Sequence, residues 1–341
     1  MFTSPRDSTA AWEKPGSSMQ VFGHTVRFGI QAIPTRLSYA DYLANWLTCE
    51  RLGYDVSYVT DHFVVYSQET GPGSVFEGPT LLAAMAAQTS RMRCGIMVAG
   101  NTFRNPGVLA KIATTLDHVS GGRLELGMGS GHTQLEHEQY NVPFYTQGRR
   151  IRMLGESAKV VRSLLTQERT SFQGQYYSFT DAFCEPKPVQ SPLPILIGGI
   201  GEELSMRVVA ESADIWNNWT SPDLETYQQK LRALRRHCDD VGRNPDDIRK
   251  SMHIKPVVGE TEAEINLTAS QQPRHRWRGT PEQLIEHLLP FVKLGVSDFV
   301  YMLDAPTDLR TLELIATRVA PEVRSRGAAL LTESLAAGST G

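Results

Sequence analysis

Short apolar runs alternate with stretches of helical period along most of the chain, from about residue 25 to residue 326. Each run has the length of a strand, and each is followed by apolar residues recurring every three or four positions. That alternation marks parallel βαβ units and argues against hairpins. The first unit joins RFGIQA (27–32) to a helix over YADYLANWLTCERLG (39–53), where Leu43, Trp46, Leu47 and Leu52 fall near one face and Gly53 closes it. VSYVT (56–60) precedes a helix over 79–88, RCGIMVAG (93–100) one over 106–118, and RLELGMG (123–129), after a polar stretch, one over 149–165. PILIGG (194–199) leads to a helix from Glu202 and ADIWNN (213–218) to a helix from Leu224. A seventh strand spans about 248–258, and an eighth, 298–302, precedes a helix over 309–319.

Eight such units in one uninterrupted series predict an α/β fold, a single closed (β/α)8 barrel over 25–326, in preference to a doubly wound open sheet. Two segments interrupt it. SFQGQYYSFTDAF (171–183) reads as a small β-hairpin with Gly174 at its turn, and 259–279 is polar and contains PRHRWR. Both are expected on loops, where barrels carry lids. Residues 1–24, rich in Ser, Thr, Pro and Gly, read as a flexible extension, and 327–341 as a fraying helix followed by a loose tail.

Composition narrows the function classes. The chain is 40% apolar with a formal net charge of -3, enough to bury a large core but without a polyanion-binding surface, so nucleic acid is not an expected partner. Cys49, Cys94, Cys184 and Cys238 are scattered, without a CxxC pair or metal-ligand spacing, and read as reduced thiols. The first 24 residues hold no apolar stretch long enough for a signal peptide or a membrane span, so a cytoplasmic location is expected.

In a (β/α)8 barrel the chemistry sits at the carboxyl ends of the strands. TDHF after the second strand therefore puts Asp61 and His62 at the mouth, with Tyr66 four residues on. His62 titrates in the range suited to proton transfer near neutral pH, and the competing reading is a hydrogen-bonded loop histidine. Neighbours on an extended segment point to opposite sides, so Asp61 need not pair with His62. In GMGSGH (127–132) the GxGxG spacing, at the fourth unit, does not fit a dinucleotide fingerprint. Gly127, Gly129 and Gly131 either let backbone approach a phosphate or an isoalloxazine-type ring or serve tight turns alone. Gly198, Gly199, Ile200 and Gly201, just before a helix, resemble a backbone cradle for an anion, which Glu202 and Glu203 would somewhat oppose. His132 and Glu136, at i and i+4, invite a metal reading, but HExxH and a third ligand are missing and a polar surface run explains them more simply. No metal is expected. Trp216 and Trp219 flank Asn217 and Asn218 and either line a pocket or, for Trp216, belong to the core.

The ordered set GPTLLAAMAAQTSRMRCGIMVAGNTFRNPGVLAK, LDHVSGGRLELGMGSGH, GQYYSFTDAFCEPKPVQSPLPILIGGIGEE and VVAESADIWNNW resembles the luciferase-like monooxygenase superfamily. Within it the chain is most similar, over roughly 26–302, to the oxidoreductases dependent on coenzyme F420, a deazaflavin. The resemblance implies a (β/α)8 barrel with an insertion lid and a non-proline cis peptide at Met97 and Val98, a bulge that, with Ala99, supports the cofactor ring. It also implies that Asp61 and His62 lie beside the ring, that Ser130, Gly131 and His132 border it, and that Gly198 to Gly201 receive the phosphate-bearing tail. His62 is then the leading proton donor or acceptor in a hydride transfer with a small organic substrate, with Tyr66 and His132 as second choices. His132 departs from the pattern, since relatives often carry Trp or Glu there. The flavin branch commonly has a Ser-rich turn and a phosphate-binding Arg after the fifth strand. This chain has GGIGEE, with Arg207 inside the helix, which favours F420 over FMN. The alternatives are an FMN-dependent monooxygenase served by a separate flavin reductase, and a noncatalytic cofactor-binding barrel. A homodimer through barrel helices is expected by analogy alone.

Overall fold

The computed structural model describes residues 20–21, 23–33, 35–67, 71–220, 222–272, 276–303 and 307–338. Eight strands, Arg27–Ala32, Val56–Val59, Arg93–Gly100, Leu124–Gly129, Ile195–Gly198, Ile215–Asn218, Arg249–Ile254 and Val296–Leu303, pair in parallel in that order, and the last returns to the first. The barrel is thus the (β/α)8 architecture that the alternating pattern predicts.

A helix follows each strand: Tyr39–Arg51, Gly78–Gln88, Pro106–Ser120, Gln147–Thr166, Leu204–Ser212, Leu224–Val241, Pro281–Lys293, and Leu309–Leu314, which continues through Ile315–Val319 into Ala320–Gly338. Their starts carry side-chain caps where the sequence offers them. Ser38, Asn105 and Asp223 each accept a backbone N–H of the first turn, and Thr280 with Gln283 forms a reciprocal capping box. The first helix buries Tyr42, Trp46 and Cys49, while Leu43 and Leu52 pack at the margin, so its core face is centred on the aromatic residues and not on the leucines.

Several boundaries differ from the sequence reading. The seventh strand breaks at Lys255. Arg249–Ile254 stays in the barrel, whereas Pro256–Val258 leaves it to pair with Trp277–Gly279, because Pro256 has no N–H with which to continue the ladder. The segment 259–279 is not all loop. Thr261 caps a helix, Glu262–Gln271, which buries only Ile265 and Ala269, too small an apolar face to stand out in the sequence. The hairpin forms as expected, Thr170–Gln173 against Ser178–Ala182, and the fifth-unit helix begins at Leu204 and not at Glu202. At the amino end Gln20–Val21 pairs with His24–Thr25, and the last helix runs beyond residue 327 to Gly338.

The barrel interior is layered. At its amino-terminal end the fully buried Glu125 carboxylate receives Arg27 Nη1 at 2.6 Å and Arg93 Nε at 2.8 Å, lies 3.6 Å from Arg249, and accepts the Tyr58 hydroxyl. Arg27 turns its Nε to Asp298 at 2.9 Å. Above this charged layer Val56, Met97, Leu196, Ile215 and Val300 fill the centre with apolar surface. Burial pushes the Glu125 carboxyl up, but the charge and hydrogen bonds of Arg27 and the charges of Arg93 and Arg249 outweigh it and hold the group well below the usual carboxylate range. A carboxyl depressed in the folded state adds stability above its unfolded pKa near ~4.3 and loses it as pH falls. Glu125→Gln is therefore expected to lower the unfolding free energy by about 3–5 kcal/mol at pH 7, by leaving three arginines at a neutral partner. The loss should shrink as pH drops below about 4. Urea unfolding of both proteins across pH checks it, and equal stability at pH 7 would contradict it.

Candidate active site

The second strand ends at Val59, and the chain crosses the mouth through Asp61 and His62. Asp61 is buried, and its carboxylate accepts the Gly100 N–H at 2.9 Å and Arg104 Nη2 at 3.0 Å. Arg104 also pairs with Glu77 at the start of the helix Gly78–Gln88. Asp61 thus clamps the end of the second strand to the end of the third, and it does not touch His62. The two neighbours diverge, as an extended segment requires.

The partner of His62 is Glu136. Its Oε1 lies 2.7 Å from His62 Nδ1, so the imidazole donates there and its Nε2 has no hydrogen-bond partner among the described residues. Glu136 is buried and comes from the short helix Gln134–Gln139, an excursion after the fourth strand that reading by period treats as a polar run. The i, i+4 spacing of His132 and Glu136 singles out Glu136 in the sequence, and its carboxylate meets His62. Among the described residues no group of three or more His, Cys, Asp or Glu could hold a metal ion. His132 sits at the rim with its ring edge-to-face to that of His62 at 5.6 Å. Partial desolvation and then the neighbouring His62 lower its pKa.

The excursion is held by its next residue. His137 donates Nδ1–H to the Thr133 carbonyl at 2.7 Å, and its Nε2 accepts the Thr102 hydroxyl at 2.7 Å. Gly131, at φ +74°, lies against that hydroxyl: a Cβ there would come within 2.6 Å of Thr102 Oγ1. Gly129 has a similar duty, since its Cβ would stand 2.3 Å from Val98 Cγ2. Of the two readings of GMGSG, Gly129 makes room for a neighbouring strand's side chain.

The third strand carries a cis peptide between Met97 and Val98, as the resemblance implied, with a register shift in its pairing to the fourth strand between Ile96 and Ala99. Met97 and Ala99 are buried and Val98 is half-buried. Gln31 donates to the Met97 carbonyl, and the buried His253 holds its Nε2 3.0 Å from Met97 Sδ. Ser130 is half-buried at the end of the fourth strand.

Gly198, Gly199 and Ile200 are half-buried and Gly201 is exposed, ahead of a helix that has no side-chain cap. The Gly199 carbonyl accepts the indole N–H of Trp216 at 2.8 Å, and Trp216 stacks on Tyr227, so the core reading of Trp216 holds, while Trp219 is exposed. Glu202 and Glu203 are drawn away to Lys230 and Arg236 of the following helix, at 2.7 and 2.8 Å. Arg207 pairs with Glu211 one turn on, at 2.8 Å. The backbone of Tyr66 lies in Val65–Ser67, and its side chain falls outside the described residues, as do Pro273, Arg274 and His275 of PRHRWR. All four cysteines are free and buried. No described helix is long and apolar enough to cross a membrane.

The luciferase-like monooxygenase family profile matches residues 21–287. The chain belongs to that family. It is 26% identical over 337 residues to an F420-dependent glucose-6-phosphate dehydrogenase of Segniliparus rotundus, covering 88% of this chain and 98% of the relative. A Mycobacterium tuberculosis protein without an assigned function is 35% identical over 189 residues, which span 55% of this chain and 65% of that relative's length. Among solved structures, an F420-dependent secondary alcohol dehydrogenase superposes with a TM-score of 0.74 at 18% identity, over 87% of this chain and 99% of that one. EDTA monooxygenase from Chelativorans superposes with a TM-score of 0.76 at 15% identity, over 89% and 95%. At these identities the structures speak for the shared barrel.

Burial keeps the His253 imidazole neutral, with its pKa lowered to about 3. A histidine depressed in the folded state is protonated first in the unfolded chain, so it costs stability as pH falls from its unfolded value near ~6.5 towards 3. His253→Gln should therefore flatten the loss of unfolding free energy between pH 7.5 and 5 by about 2 kcal/mol relative to wild type. Parallel denaturation curves at the two pH values would refute it.

Proposed function

We propose that the chain is an F420-dependent oxidoreductase that moves a hydride between the deazaflavin and a small organic substrate, with His62 carrying the accompanying proton. The observation that supports this most is the buried Glu136 carboxylate on His62 Nδ1 at the barrel mouth. That contact assigns the tautomer and leaves Nε2 as the atom that takes a proton from a substrate hydroxyl or returns one to a carbonyl. The deazaflavin, when bound, supplies or accepts hydride at its carbon 5. His132 and Tyr66 stand as secondary proton carriers, and Asp61, locked by Arg104, holds the segment that bears His62.

The chain has residues that fit such a cofactor. Met97, Val98 and Ala99 form a bulge beside Gly129 and Gly198, where a side chain would press on Val98, and Ser130 and Gly131 border it. Gly198, Gly199, Ile200 and Gly201 lead into an uncapped helix whose adjacent carboxylates are paired elsewhere, the setting that takes a phosphate, and within the loop the Gly199 N–H is taken by the Asn217 carbonyl. The named F420-dependent relatives support the same reading. The second reading, an FMN-dependent monooxygenase, draws on neighbours such as EDTA monooxygenase and long-chain alkane monooxygenase. Against it, Arg207 is engaged by Glu211 and not free for a flavin phosphate. The partner in either case is a small molecule, the location proposed is the cytoplasm, and the barrel acts as one domain.

Titration of the purified protein with F420 and, separately, FMN, followed by cofactor fluorescence, is expected to give tighter binding of F420. Preference for FMN together with oxygen uptake would replace this reading by the monooxygenase. In the active enzyme His62→Ala should retain the fold and lower turnover by roughly 10² to 10⁴; unchanged turnover would remove His62 from the chemistry.

A further inference from the structure

The helix Gln147–Thr166 opens with three arginines, and they do different things. Arg150 turns inward, donating to the carbonyls of Gly131, at 3.0 Å, and Tyr145. Arg149 and Arg152 are exposed and form no ion pair among the described residues. Both gather around the hairpin: the Arg149 guanidinium lies 3.9 Å over the Tyr145 ring and 5.6 Å from the Tyr176 ring, and Arg152 Nε meets the Tyr176 hydroxyl at 3.3 Å. Glu156, on the same helix one turn beyond Arg152, accepts the backbone N–H groups of Gln175, Tyr176 and Tyr177 at the hairpin turn. The result is an arginine and tyrosine surface whose two guanidinium groups form no ion pair among the described residues.

This surface adjoins the loop that the cofactor reading assigns to the phosphate. A Cβ on Gly148 would lie 3.5 Å from Arg152 Nη1 and 3.7 Å from Leu204 Cδ1, so Arg152 stands beside the first residue of the helix that follows Gly198 to Gly201. At the same helix start Glu202 and Glu203 are paired with Lys230 and Arg236, so those two cations are already engaged. F420 continues beyond its phosphodiester into a chain of glutamates, and on the Arg152 side of this loop a carboxylate chain meets two guanidinium groups that form no ion pair among the described residues.

We infer that Arg149 and Arg152, aligned by Tyr145 and Tyr176, form the binding surface for the carboxylate-rich end of the cofactor. The inference rests on the F420 reading and deepens it. Arginine suits the task because its planar guanidinium grips carboxylates in pairs while staying packed on a tyrosine ring.

The test compares three deazaflavins, all read by fluorescence titration at low salt: oligoglutamyl F420, the phosphodiester form without glutamates, and the tail-free chromophore. The double variant Arg149→Ala/Arg152→Ala is expected to bind oligoglutamyl F420 about 5- to 10-fold more weakly, as the loss of two exposed charge pairs predicts. It should bind the two shorter forms within about twofold of wild type, and 0.5 M salt should erase the difference. Arg149→Lys/Arg152→Lys should recover most of the loss, which separates charge from packing, and thermal melts confirm the fold. Equal affinity of variant and wild type for oligoglutamyl F420, or the same loss for all three compounds, overturns this inference while leaving the cofactor reading intact. A wild-type protein that binds none of the three overturns both.

Discussion

One buried carboxylate organises the barrel. Glu125, on the fourth strand, meets Arg27 of the first, Tyr58 of the second, Arg93 of the third and Arg249 of the seventh, and Arg27 carries the contact on to Asp298 of the eighth. Six of the eight strands therefore converge on a single charge network, and the remaining two, the fifth and sixth, contribute Leu196 and Ile215 to the apolar layer above it. A charge in such a place is tolerated only while its partners stay in register, since an unpaired ion in the interior costs several kcal/mol (about 3–5 when one partner is removed). The network thus sets the relative height of the strands at the amino end, and with it the height at which their carboxyl ends emerge.

That division of labour is why the mouth can hold polar groups that contribute nothing to closing the barrel. His62, His132 and Glu136 meet there because two clamps set the segments that carry them. Asp61 with Arg104 fixes the crossing from the second strand, and Thr102 with His137 pins the excursion after the fourth. Both clamps use the loop after the third strand, so Asn101 to Arg104 act as a common abutment for the His62–Glu136 pair on one side and the Met97–Val98 bulge on the other. A side chain at Gly131 would push on Thr102 of that abutment, and one at Gly129 on Val98 of the bulge.

Much of this was legible in the residues. The period of apolar and polar positions is a local property, and burial of parallel strands behind amphipathic helices writes it into the sequence directly, so the eight units and the hairpin 170–182 could be counted. The strand-end position of His62 follows from the count of units, and the bulge at Met97 and Val98 from the family resemblance. The helix Glu262–Gln271 was hidden because it buries two small residues, and the break in the seventh strand turned on a single proline whose effect depends on which neighbour it would have to pair with.

What the sequence determined by itself is the architecture, the family and the short list of residues at the mouth, because each depends on patterns within a few tens of residues. What only the tertiary structure decided is which groups meet. Glu136 faces His62 across 74 positions, Glu125 reaches Arg27 across 98, and Arg27 reaches Asp298 across 271. The choice of Glu136 in place of the adjacent Asp61 as the partner of His62 has no local signature. It follows from barrel closure and from the path of an excursion loop, which bring distant carboxylates to a histidine that its sequence neighbour, pointing the other way, does not reach.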